Sequence, residues 1–199
     1  AENSIAPAKR AQTLFEVAQN YDKVAQIAVR SSAQEATVTP GEEPVAKLMS
    51  AKELYQKASP AVVLIMSARE GGKGELGSGS VIDSAGLVLT NAHVVVDSEG
   101  RPYPNIKVYL KPAKVTGDPK KDLSEPITAR VSRFDRGLDL AVLELARATQ
   151  MAPLALGDDK NVEPGDPVIA IGHPEQGGFW TLTQGVISAV VADLGGVPG

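Results

Sequence analysis

The sequence predicts an all-β fold, a barrel or sandwich, carried behind an N-terminal helical extension. Two observations carry this reading. Before Pro60 the apolar residues fall at helical spacing, whereas after it they form short β-rich runs. Those later runs are separated by turn signals at intervals suited to an all-β domain. With 199 residues, 43% of them hydrophobic, the chain can build one packed core plus an appendage.

The extension comes first. From Pro7 to about Arg30 the apolar positions Leu14, Val17, Ala18, Tyr21, Val24, Ala25 and Ala28 trace one face of a helix. Ser31 to Pro44 is polar, contains Pro40, Gly41 and Pro44, and reads as a linker. A second helix is expected from about Val45 to Ala58, with Pro60 disfavouring its continuation at Ser59.

The strands follow. Ala61–Met66 is an apolar β-rich run, and Gly79–Asp83 and Leu87–Asn91 flank an Asp83-Ser-Ala-Gly86 turn. Ile106–Leu110, Ile127–Phe134 and Leu138–Leu145 are further strands, with a polar, three-proline loop from Lys111 to Pro126. Val168–Ile171 and Thr181–Ala192 complete the set, separated by a Gly-rich bend.

Composition narrows the function. The net charge of -4 offers no overall basic field for nucleic acid or anionic lipid. Cysteine is absent, which excludes disulfides and thiolate chemistry. With two histidines in the sequence, His93 and His173, a His-rich metal site is not expected. No apolar run approaches the ~18 residues of a membrane span.

Two segments carry chemistry. In Gly77-Ser-Gly-Ser-Val-Ile-Asp-Ser-Ala-Gly-Leu-Val-Leu-Thr-Asn-Ala-His-Val-Val95, His93 follows a strand at the start of a possible helical turn. An imidazole there can take and return a proton near neutral pH. In Gly137-Leu-Asp-Leu-Ala-Val-Leu-Glu-Leu145, Asp139 heads an apolar strand, where a carboxylate needs a donor. A histidine N–H is a suitable one. Taken singly, each is more often an ordinary surface or capping residue.

Together, Thr90-Asn-Ala-His93 and Asp139-Leu-Ala-Val-Leu143 resemble the His and Asp motifs of HtrA (Deg)-type trypsin-like serine proteases. The order His then Asp is that of the chymotrypsin fold. Ser59-Pro-Ala-Val-Val63, Pro153-Leu-Ala-Leu-Gly-Asp158, Val162-Glu-Pro-Gly-Asp166, Val168-Ile-Ala-Ile-Gly-His-Pro174 and Thr181-Leu-Thr-Gln-Gly-Val-Ile-Ser188 extend the resemblance over residues 50–192. It implies a chymotrypsin-like double β-barrel, the first barrel complete and the second truncated. The expected division is 1–50 helical extension and linker, 51–150 first barrel, 151–199 inter-barrel link and start of the second barrel.

The resemblance implies peptide-bond hydrolysis of unfolded or damaged proteins, with catalytic His93 and Asp139 and no metal or organic cofactor. It also implies a periplasmic or otherwise exported location, for which a processed Ala1-Glu2 terminus is suitable, and a homo-oligomer, typically a trimer. The helix within 1–50 is a candidate for oligomerisation or tethering, or simply packs on its own domain.

There are departures. The family commonly has Asn where His173 stands, so His173 reads as a structural loop residue rather than a second base. The segment from Asp97 to Pro126 looks longer than usual. The family nucleophile lies in Gly-Asn-Ser-Gly-Gly-Pro, and no serine here is followed by Gly-Gly-Pro. Ser78 and Ser80 precede the histidine, and Ser188 is expected in a second-barrel strand. The 199-residue chain alone is therefore expected to be inactive. The alternative is a non-catalytic binding or scaffold protein on a protease fold.

Overall fold

The computed structural model describes the backbone of residues 27–28 and residues 49–69, 74–157, 160, 162–174 and 177–190. Strand β1 (Ile27–Ala28) precedes helix α1 (Ala51–Ala58), which is followed by a 3-10 turn (Ser59–Ala61). The expected linker and most of the expected first helix lie outside the described residues. At Ile27–Ala28 the helical expectation is corrected: the backbone is a strand, paired antiparallel with Ile169 and Val168.

Helix α1 starts where its sequence contains a capping box. The Glu53 N–H donates to Ser50 Oγ, and the Ser50 N–H donates to Glu53 Oε2 at 2.7 Å. It ends at Ala58, and Pro60 sits in the first turn of the 3-10 segment, where its missing N–H costs nothing.

Six strands then close a barrel in the order β2-β3-β4-β7-β6-β5. These are β2 (Val62–Ala68), β3 (Gly74–Val81), β4 (Leu87–Thr90), β5 (Asn105–Tyr109), β6 (Ile127–Asp135) and β7 (Leu140–Leu145). All neighbours pair antiparallel, so closure leaves no free edge. The interior is filled by Val63, Ile65, Val81, Val88, Ile106, Val108, Ala141 and Leu143, all essentially inaccessible. Leu87, Leu89 and Val142 face the other way but are also buried, against Ile82, Leu140 and Leu156. Burial on both faces explains the continuous apolar runs at β2, β4 and β7. A register shift between Val131 and Arg133 bends β6.

Two short helices interrupt the strands: α2 (Ala92–Val95) after β4, and α3 (Pro119–Asp122) within the expected 111–126 loop. In that loop the buried Asp122 carboxylate accepts from the N–H groups of Thr116 and Gly117 and from Thr116 Oγ1. Burial would raise its pKa, but these donors outweigh burial and hold it below the ordinary carboxylate value.

A second sheet, in the order β1-β8-β9, holds β8 (Pro167–Gly172) and β9 (Thr181–Val186). Strand β9 ends well before the expected Ala192. Ser188, expected within a strand, lies two residues past it. The indole N–H of Trp180 donates to the Val62 carbonyl at 2.8 Å, and the Tyr55 hydroxyl donates to the Trp180 carbonyl at 2.7 Å. These bonds tie the start of β9 to α1 and β2. They hold Trp180 at φ 53, a left-handed value unusual for a bulky residue.

Candidate active site

The imidazole of His93 stands on α2, and what places that turn is a close approach. A Cβ on Gly77 would meet the Val94 methyl carbons at 2.5 and 2.8 Å, so only glycine lets α2 lie against β3. The Ser67 hydroxyl donates to the Val94 carbonyl from β2, and the Tyr103 N–H donates to the Val95 carbonyl at 2.9 Å. Val94 and Val95 are buried in the barrel core, which turns His93 outward.

Asp139 does not begin a strand, as its sequence position suggested. It is the last residue of the turn before β7, at φ 52, a left-handed conformation that Asp tolerates better than most residues. This conformation presents its backbone and its carboxylate to α2 together. The Asp139 carbonyl accepts from the Ala92 N–H at 3.1 Å, and Oδ1 accepts from the His93 N–H at 2.9 Å. Oδ2 lies 2.7 Å from His93 Nδ1 and 3.1 Å from Asn91 Nδ2. The Asn91 amide also donates to the Asp139 carbonyl at 3.1 Å.

The structure thus brings His93 and Asp139 together from 46 residues apart. An ionised carboxylate only accepts, so Nδ1 carries the proton and Nε2 keeps its lone pair. The histidine side chain is 68% exposed, against 43% for Asp139. An imidazole so oriented can withdraw a proton from a hydroxyl brought to Nε2, and the carboxylate would stabilise the resulting cation.

His173 is brought elsewhere. It follows β8, buried, with its ring edge-on to Trp180 at 4.8 Å between centroids. Ser78 Oγ accepts from the His173 N–H at 2.9 Å and lies 3.1 Å from Nδ1. Burial lowers the His173 pKa to about 4, so the ring is neutral at pH 7. The expectation of a loop residue fits its place after β8, and Ser78 meets this histidine rather than His93. Gly172 lies close beside it: a Cβ there would stand 3.1 Å from Ser78 Oγ, a tight approach that would press on that hydroxyl.

Sequence reading missed Asn91 and Trp180 as contributors to these contacts. Asn91 stood inside the quoted motif, but nothing local distinguishes it from a helix cap. Among the described residues, no group of three or more His, Cys, Asp or Glu could hold a metal ion. No described helix is long and apolar enough to cross a membrane.

A closed antiparallel barrel bearing a turn-mounted histidine, paired to an aspartate from the turn before the neighbouring strand, is the architecture of chymotrypsin-fold hydrolases. The family model of the trypsin-like peptidase domain matches residues 77–197. The chain belongs to the trypsin-like peptidase family, and its relatives place it with the HtrA-type serine proteases. The probable periplasmic serine endoprotease DegP-like of Brucella suis biovar 1 (strain 1330) is 36% identical over 123 residues, 61% of this chain and 21% of that protein. Serine protease PepD of Mycobacterium tuberculosis is 31% identical over 141 residues, covering 71% of this chain and 28% of that protein.

Among solved structures, the HtrA-type protease AlgW with tripeptide superposes with a TM-score of 0.58 at 27% identity, over 75% of this chain and 43% of that one. The serine endoprotease from Yersinia pestis gives 0.55 at 30% identity, over 71% and 45%. The chain spans between about a fifth and under a third of the length of these two curated relatives.

Proposed function

We propose that this chain supplies the general base and its orienting carboxylate to an HtrA-type serine endopeptidase that hydrolyses unfolded or damaged proteins. The observation that carries the reading is the 2.7 Å contact between His93 Nδ1 and Asp139 Oδ2, with Oδ1 held by the His93 N–H. His93 would take the proton of a serine hydroxyl as that oxygen attacks the peptide carbonyl, then pass it to the leaving amine. Water would next hydrolyse the acyl-enzyme, with the same histidine as base. Asp139 would keep the proton on Nδ1 and stabilise the imidazolium.

No serine of this chain is followed by Gly-Gly-Pro; on this reading the nucleophile and its oxyanion amides would be supplied from outside these 199 residues. The chain alone is proposed to be inactive. The names of its periplasmic relatives support a periplasmic or exported location. A homotrimer, and the division at residues 50 and 150, complete the proposal.

The test is labelling of the natively expressed protein with a fluorophosphonate, read by intact mass. One adduct, abolished by His93→Ala together with a loss in kcat of about ten-thousandfold or more, is the expected result. A protein that takes no adduct and cleaves no casein overturns the reading and leaves a non-catalytic scaffold on the same fold.

A further inference from the structure

Asn91 is the N-cap residue of α2, a position whose side chain ordinarily accepts an N–H from the turn it starts. Here it makes no such bond. Asp139 has taken that task from the turn before the neighbouring strand β7, its carbonyl receiving the Ala92 N–H and its Oδ1 the His93 N–H. The Asn91 amide is thereby released to act as a donor. It points its Nδ2 at both the carbonyl and Oδ2 of Asp139, each at 3.1 Å.

Oδ2 therefore receives two donors, Asn91 Nδ2 and His93 Nδ1. A carboxylate on an exposed side chain is free to rotate away from a single donor. With His93 N–H on one oxygen and Asn91 on the other, its plane is set before the imidazole arrives. The amide's bond to the carbonyl also braces the left-handed backbone of Asp139, a conformation that persists only when its surroundings determine it.

We propose that Asn91 is a positioning residue for His93, acting through Asp139. It fixes the carboxylate plane and so selects the tautomer with the proton on Nδ1. The inference rests on the reading of His93 and Asp139 as base and orienter. Asn91 is exposed, so replacing it leaves the barrel core untouched.

The chain has two histidines, and a His93→Ala variant assigns their signals. In the 15N-histidine-labelled 199-residue chain, NMR reads which His93 nitrogen carries the proton and whether a low-field Nδ1–H resonance is present. Asn91→Ala is expected to weaken or abolish that resonance and convert His93 to a mixture of tautomers, while buried His173 reports an unchanged fold. Unchanged His93 signals overturn the proposal. If Asn91→Ala also disturbs His173, Asn91→Asp decides, because it keeps the shape but replaces the donor with an acceptor. Loss of the resonance with His173 intact supports the role, and its retention overturns it.

In the full-length active protein, Asn91→Ala is expected to lower kcat about ten- to a hundredfold at unchanged KM. A change in KM alone overturns the positioning role. The NMR result does not depend on turnover, so failure of the positioning role and failure of the proteolytic reading are told apart.

Discussion

The closed barrel and the β1-β8-β9 sheet use similar residues to different ends. In the barrel, every strand has two partners, and the side chains of β2, β4 and β7 are buried on both faces. In the sheet, Ile169 is buried, as is Trp180 just before β9, whereas Leu182 and Val186 are exposed, Val186 by 62%. The sheet gains its fixed position from bonds to its neighbours: Trp180 to Val62, Tyr55 to Trp180, and His173 to Ser78. The barrel is held by its own apolar interior, the sheet by a few polar latches. That contrast also separates the two histidines. His93 is outside a rigid core and paired with a carboxylate, while His173 is inside a latch and faces a hydroxyl.

The largest effect that can break this comparison lies in the barrel. Leu143→Ala removes a fully buried side chain and should cost about 2–5 kcal/mol in a denaturant titration. A loss below ~1 kcal/mol would mean that the barrel is not the stabilising unit. Next comes the latch. Trp180→Phe should leave the Val62 carbonyl without its indole donor and cost about 1–3 kcal/mol. Hydrogen exchange should accelerate in β8 and β9 and stay slow in β4 and β7; uniform acceleration would remove the distinction between the two regions.

The next effect depends on pH. The buried His173 binds its proton only near pH 4, whereas the unfolded chain binds it near 6.5. Between those values the unfolded state holds more protons, so stability falls as pH falls, by up to about 1.4 kcal/mol per pH unit. Below about pH 4 this contribution is gone. His173→Asn should remove that part of the slope in melts between pH 7 and 4. An identical slope in the variant would place the titrating group elsewhere. The smallest effect is expected on the exposed face of the sheet: Val186→Ala should change stability by less than about 0.5 kcal/mol. A core-sized loss there would show that another surface covers β9.

Much of this was legible along the chain. Strands β2, β4 and β7 announced themselves because burial on both faces leaves apolar runs, whereas α1, expected from about Val45, begins at Ala51 behind the Ser50 capping box. His93 and Asp139 were readable as a pair through motif order. The misreadings share a cause in pairing between distant residues. Ile27–Ala28 carries a helical pattern but pairs with β8, and a partner 142 residues away leaves no trace in local periodicity. Asp139 looked like the head of a strand, yet its bonds to α2 hold it in a left-handed turn.

The sequence by itself determined a strand-rich domain, barrel or sandwich, behind a helix, because periodicity is a local property; the barrel and the pairing of His93 with Asp139 were implied by the resemblance to HtrA-type motifs. Tertiary structure alone decided that Asn91 serves Asp139 instead of capping its own turn. It also decided that Gly77 must be bare to admit Val94, and that His173 is buried neutral against Ser78. Each of those outcomes depends on which atoms arrive within about 3 Å across the fold, the distance at which hydrogen bonds form and overlap begins.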